Sequence, residues 1–267
     1  MNNINDIKLR LFIVGCPRSG TTLLQGLISS HNEITSFVES HFFNLGFKNP
    51  FNSGFYYVSK RATDLLHQFL EATEISGKLK KRLSDRIPDL PIIPGLGVKK
   101  WVTYYFSVLD EIALNREKRI WVEKTPDHLK RIELIQTVDP DIKVIHIIRD
   151  GGDTIASLFN GTKQWGKKFS IDECIQYWND AIIKSYKRIN NSSDIFIHYK
   201  KLAENPVNEI DKIFKLLNLS SQTDIIDRYN LTISSIIQDK EHWKGKNLKN
   251  IEFQSTYNKT FNKSERD

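Results

Sequence analysis

The sequence predicts an α/β fold of three layers, with a mostly parallel central sheet between helices. Three stretches carry that expectation. Leu9–Val14 is an apolar run that meets a glycine-bounded loop, Gly15–Thr22, and then a helical run, Leu23–Ser30. Ile142–Ile148 is nearly all apolar, the pattern of a buried parallel strand, and a helix through Ala156, Ser157 and Phe159 follows it. Arg119–Val122 reads as a further strand leading into a helix start. Strands that alternate with helices build parallel sheets. With 267 residues, 39% of them hydrophobic, the chain can bury a sizeable core. We expect one domain over residues 1–249 and a loose tail over 250–267.

The loop Gly15-Cys16-Pro17-Arg18-Ser19-Gly20-Thr21-Thr22 organises the rest. At a helix N-terminus the unpaired N–H groups and the helix dipole together make a site for an anion. The spacing is that of the nucleotide P-loop, Gly-x-x-x-x-Gly-Lys-[Ser/Thr], so the expected architecture is P-loop NTPase-like. Thr21 stands where the lysine that reaches the β- and γ-phosphates belongs. The expected ligand therefore presents no triphosphate, and Arg18 offers a forked donor to a smaller terminal anion.

After the first helix, His31-Asn32-Glu33 breaks the pattern, and Ile34–Val38 is a short extended segment delivering Glu39-Ser40-His41-Phe42-Phe43. Taken alone, Glu-x-His is more often a solvated acid and a histidine beside core phenylalanines. Residues 44–118 read as a mainly helical insertion, with Leu65, Leu66, Phe69 and Leu70 on one face and Tyr104, Tyr105, Val108, Leu109 and Ile112 on another. Its basic run Lys78–Arg82 reads as a solvated helix face. Further on, Thr125 can cap a helix that Pro126 starts and that runs to about Val138. Lys124 sits at the preceding strand end, where α/β folds build their sites. Arg149 ends the next strand, where magnesium-dependent P-loop enzymes place an acid that helps hold the metal. A cation there repels a metal and attracts a second phosphate. The structural alternative is an Arg149 paired with Asp150 or Asp153. Ile171–Ile189 carries Cys174, Tyr177, Trp178, Ile182 and Tyr186 at helical spacing, which reads as core packing. Ile195–His198 is a last strand, ending at Tyr199.

A formal net charge of +7 favours anionic ligands without choosing among them. Two cysteines are too few for a disulfide framework or a cysteine-built metal site and suit a reducing compartment. Met1–Lys8 is polar and no apolar run approaches the ~18 to 20 residues of a membrane span, so the expectation is a cytoplasmic protein without a membrane partner.

Five segments in order, Pro17–Thr22, Glu39-x-His41-Phe42-Phe43, Lys124-Thr125-Pro126, Arg149 with Ser157, and Tyr199-Lys200-x-Leu202 through Pro206, resemble the motifs of sulfotransferases that use 3′-phosphoadenosine 5′-phosphosulfate (PAPS). The resemblance is closest to the tyrosylprotein and heparan-sulfate types. It implies that Cys16, Pro17, Arg18, Ser19, Gly20, Thr21 and Thr22 hold the 5′-phosphosulfate, that Arg149 and Ser157 bind the 3′-phosphate, and that Tyr199 lies near the nucleotide. Lys200 departs from the family's acidic residue, so only Tyr199 is carried over. The resemblance further implies that Lys124 is in the active site and that Glu39 is the catalytic carboxylate. His41 is the rival base, because cytosolic sulfotransferases use a histidine, and His31 is a distant third. A basic residue beside a tryptophan closes over the 3′-phosphate in the family. Here His242 precedes Trp243 where the tyrosylprotein pattern has lysine, which leaves Lys244 or Lys246. The implied reaction is direct in-line sulfuryl transfer to a hydroxyl or amine, without a metal, yielding 3′-phosphoadenosine 5′-phosphate (PAP). The acceptor, whether carbohydrate, peptide or small molecule, is not legible, and residues 44–118 are where its specificity is expected. Two other readings stay open. A kinase that has lost its loop lysine fits the strand–loop–helix start but neither Thr21 nor Arg149. A non-catalytic nucleic-acid binder would want clustered basic residues with stacking aromatics, and the basic residues here are scattered.

Overall fold

A computed structural model of the protein describes residues 6–49, 55–91, 95–163, 166, 168–236, 251, 253 and 255–262. A five-stranded sheet has the order β2 (Ile34–Ser36), β5 (Ile120–Lys124), β1 (Leu9–Gly15), β6 (Lys143–Ile148), β7 (Asp194–His198). β2 runs parallel to β5 with Ile34 opposite Ile120, and β6 runs parallel to β7 with Ile148 opposite His198. The sheet is mostly parallel and flanked by helices, the P-loop-like α/β architecture. By its internal contacts the chain divides into two compact units, Met1–Phe12 with Asn32–Lys143 and Ile13–His31 with Val144–Asp267.

The first unit is built around aromatic side chains. α2 (Phe42–Gly46) leads through the antiparallel ribbon β3 (Phe47–Lys48) and β4 (Tyr57–Val58) to α3 (Arg61–Ala72), α4 (Gly77–Ser84) and α5 (Val98–Asn115). On α5 the residues Trp101, Tyr105, Val108, Leu109 and Ile112 are buried, one face at helical spacing. Tyr105 stacks on Phe42 at 4.3 Å, and Phe12 meets Trp121 edge-on at 5.5 Å. Asp110 ties three elements by accepting from Arg10 at 2.8 Å and from the Trp121 indole at 2.8 Å. The basic run on α4 is indeed a solvated face: Lys80, Lys81 and Arg82 pair with Glu71, Asp85 and Glu111. The helix expected from Pro126 to Val138 is instead a 3₁₀ turn, Pro126–Arg131, followed by the short α6 (Ile132–Gln136). Thr125 does not cap it, because the Thr125 hydroxyl donates at 2.8 Å to the buried carboxylate of Glu123.

The second unit carries α1 (Thr21–Ser29), α7 (Gly151–Thr162), α8 (Ile171–Tyr186), α9 (Tyr199–Glu204), α10 (Pro206–Leu216), α11 (Ile225–Ile236) and α12 (Tyr257–Thr260). Asp150 caps α7 by accepting from the Asp153 N–H, and Ser170 with Glu173 forms a capping box on α8. α8 departs from the expected aromatic core stripe. It buries the small residues Cys174, Ala181 and Ser185, while Tyr186 is 69% exposed. Small side chains let this helix lie close, and its Trp178 packs where a Cβ on Gly151 would stand at 3.1 Å. Buried His146 bridges Ser185 Oγ at 3.1 Å and Asp194 at 3.0 Å, and Arg188 reaches the same aspartate at 2.6 Å. Part of the stretch expected to be a loose tail is held. Asp153 Oδ1 accepts from Ser255 Oγ at 2.8 Å and from the N–H groups of Thr256 and Tyr257 at 2.7 and 3.0 Å.

Candidate active site

In the second unit the loop after β1 is tightly wound. Cys16 O accepts from both the N–H and the hydroxyl of Ser19, at 3.1 and 2.5 Å. Arg18 and Gly20 take left-handed backbone angles, φ 72° and 96°. Gly20 is required here, since a Cβ would run into the ring of Tyr199. It also occupies the N-cap of α1 and so offers no side-chain cap. Ser19, Thr21 and Thr22 are buried, as is the free thiol of Cys16.

Arg149 closes β6 against this loop. Its Nη1 donates to Arg18 O at 3.0 Å, and its guanidinium lies 4.4 Å above the Tyr199 ring. The Trp178 indole donates to Arg149 O at 3.3 Å. Arg149 forms no ion pair with Asp150, which caps α7, or with Asp153, which holds residues 255–257. Burial works against the Asp153 charge, but those donors and the Arg149 cation outweigh it and hold its pKa below the usual range. Among the described residues, Arg149 Nε is buried with no hydrogen-bond partner. Arg18 Nε donates to Ser157 Oγ at 3.3 Å, over Gly161, where a Cβ would lie 3.3 Å from that nitrogen. Arg18, Gly20, Arg149, Ser157 and Tyr199 are thus brought together. His242, Trp243, Lys244 and Lys246 lie outside the described residues. His31 belongs to the end of α1, its ring bonded to Ser220 O at 3.1 Å and edge-on to Phe214.

In the first unit Glu39 and Lys124 form an ion pair, with side chains 14% and 1% exposed. His41 Nε2 stands 3.6 Å from the other Glu39 oxygen, its side chain 44% exposed. His41 has a left-handed φ of 52° just ahead of α2, which turns Phe42 and Phe43 into the core. Its pKa is lowered by partial burial and by the neighbouring Lys124, against the pull of Glu39 and Glu123. Sequence reasoning missed what lies behind this group. Glu123 is fully buried and accepts from Ser40, Thr125 and His128 at 2.9, 2.8 and 2.9 Å. Burial opposes its charge, yet His128, Thr125 and Ser40 hold its pKa below the usual range. A signal was available, an acid beside a lysine at the end of an apolar strand. Among the described residues, no group of three or more His, Cys, Asp or Glu could hold a metal ion, and no helix is long and apolar enough to cross a membrane.

A P-loop-like turn after the first strand, and an arginine in place of an acid at the end of β6, define a P-loop-like α/β protein. Within that class the chain belongs to the sulfotransferase family, whose model matches residues 10–224. It is 24% identical over 229 residues to protein-tyrosine sulfotransferase 2 of Gallus gallus, covering 83% of this chain and 54% of the relative. The chain therefore spans about half the length of that curated relative. Its fold is similar to the sulfotransferase domain from the curacin biosynthetic pathway, with a TM-score of 0.61 at 19% identity over 93% of this chain and 89% of that one. The sulfotransferase domain of the Synechococcus PCC 7002 olefin synthase gives 0.56 at 15% identity, over 87% and 78%.

Proposed function

We propose that the chain transfers a sulfuryl group from PAPS to an acceptor hydroxyl or amine by direct in-line displacement. The observation that carries this reading is Arg149. A buried guanidinium whose Nε has no partner among the described residues, stacked on Tyr199 and bonded to the loop, is a donor set fitted to a phosphate on a nucleotide. Arg149 and Ser157 would hold the 3′-phosphate, with Lys244 or Lys246 closing over it. Cys16 to Thr22 would hold the 5′ end through N–H groups and the α1 N-terminus. When bound, PAPS supplies the activated sulfuryl group. Lys124 stabilises the negative charge that grows on the departing oxygen, which lowers the barrier more than it strengthens ground-state binding. Glu39 takes the proton of the attacking group and is the general base, its charge supported by the Lys124 ion pair. His41, beside it, is the alternative base. Residues 44–118 recognise the acceptor, a carbohydrate, peptide or small molecule. The buried free thiols Cys16 and Cys174 suit a reducing, cytoplasmic setting. No observation favours the kinase or the nucleic-acid reading over this one.

Thermal unfolding with PAP, magnesium-ATP and single-stranded DNA tests the proposal. PAP should stabilise by about 2.7 kcal/mol at a hundredfold excess over its Kd, and EDTA should leave that gain intact. Stronger stabilisation by magnesium-ATP would mean a kinase.

A further inference from the structure

Lys124 is preceded by a charge that the sulfuryl-transfer reading does not use. Glu123 is wholly buried at the end of β5, and a hydrophobic side chain would cost less to bury there. Its Oε1 accepts from Ser40 Oγ at 2.9 Å and from Thr125 Oγ1 at 2.8 Å, and its Oε2 accepts from His128 Nδ1 at 2.9 Å. Each donor is committed on its other side as well. Ser40 accepts from the Tyr105 hydroxyl at 2.8 Å and from the Phe42 N–H at 3.2 Å. Thr125 accepts from the His41 N–H at 3.4 Å, and His128 Nε2 accepts from the Phe43 N–H at 3.1 Å. A backbone N–H can only donate, so His128 Nε2 carries no proton and Nδ1 carries one, which Glu123 must accept as a carboxylate. The polarity of the whole network is fixed by that single charge. Its donors come from both halves of the ion pair, since Ser40 lies between Glu39 and His41, and Thr125 follows Lys124.

We propose that Glu123 is a positioning residue: by accepting from Ser40, Thr125 and His128 it locks the segment bearing Glu39 and His41 to the turn bearing Lys124, and so sets the carboxylate–ammonium geometry. The catalytic consequence rests on the sulfuryl-transfer reading, whereas the locking does not. Glu123→Gln keeps the shape but has a single acceptor oxygen, so its amide N–H must face either the His128 Nδ1–H or the Ser40 and Thr125 hydroxyls. A tautomer change only moves the conflict to the Phe43 N–H.

The test measures PAP binding, consumption of PAPS with water as acceptor, and the NMR titration of the His41 ring, assigned with His41→Gln, in wild type and in Glu123→Gln. Expected for Glu123→Gln are a kcat lowered about 10- to 100-fold by misplacement of the pair, PAP binding like the wild type, and a His41 midpoint displaced from its wild-type value. A folded variant with wild-type kcat and an unmoved His41 titration would overturn the proposal. If Glu123→Gln does not fold, Ser40→Ala and Thr125→Val decide. Each removes one of the bonds to Glu123 and should lower kcat without weakening PAP, and unchanged kcat in both would sink the idea. A wild type that neither binds PAP nor consumes PAPS would end the sulfuryl-transfer reading instead, and the His41 titration would still show whether Glu123 holds the segment.

Discussion

Arg149 touches three things at once: a loop carbonyl, an aromatic ring and, in the proposed complex, a phosphate. Truncating one partner of a desolvated charge pair typically costs about 2 to 5 kcal/mol. Arg149→Ala should therefore weaken PAP by that amount in calorimetric titration. Adenosine 5′-phosphosulfate, which lacks the 3′-phosphate, should lose only what the loop loses when the bond to Arg18 O goes. Equal losses for both ligands would make Arg149 a loop support and nothing more. Arg149 and Lys124 were legible as candidates because each stands at a strand end, and Glu39 because it closely follows β2, whereas Ser157, inside α7, came only from the family resemblance. Glu123 was not legible as a network centre. Its partners Ser40, Thr125 and His128 become neighbours only once β5 and the segment after β2 are folded together. For the same reason Thr125, which local rules make a cap, serves the carboxylate instead.

Elements that follow from local pattern came out close to their expected bounds. β1, α1, β6 and α8 are each marked by a continuous apolar run, a tight glycine turn or a capping box. What local pattern could not show is which residues of an amphipathic helix face inward. On α8 the buried face belongs to Cys174, Ala181 and Ser185, and only the packing partner decides that. The C-terminal stretch is the other case, since polar composition reads as a loose tail while a single acid on α7 gathers it. Asp153→Ala should release it. Hydrogen bonds to a charged acceptor are worth about 1.5 to 3 kcal/mol each, so exchange of the Thr256 and Tyr257 amides should quicken strongly while β6 amides keep their protection. Unchanged exchange at Thr256 and Tyr257 would mean that Asp153 does not hold the stretch.

At the scale of the molecule, three buried or half-buried carboxylates among the described residues share one property. Glu123, Asp153 and Asp194 are all disfavoured by burial, and in all three hydrogen bonds, with cations beside Asp153 and Asp194, outweigh it and lower the pKa; for Asp194 these are His146 and Arg188. A carboxylate whose folded pKa lies below its unfolded value binds fewer protons when folded. Its contribution is fully present above the ordinary carboxylate pKa of about 4 and is lost as pH falls through the folded value. The net charge of +7, growing more positive in acid, adds self-repulsion in the same direction. Tm should therefore be nearly flat from about pH 7 to 5 and fall steeply below about pH 4. Asp194→Asn separates the two causes. It removes one depressed carboxylate and leaves His146 and Arg188 poorly paired, so its Tm should lie below the wild type near neutrality and converge on it in acid. A constant offset at every pH would assign the acid limb to overall charge rather than to these buried carboxylates.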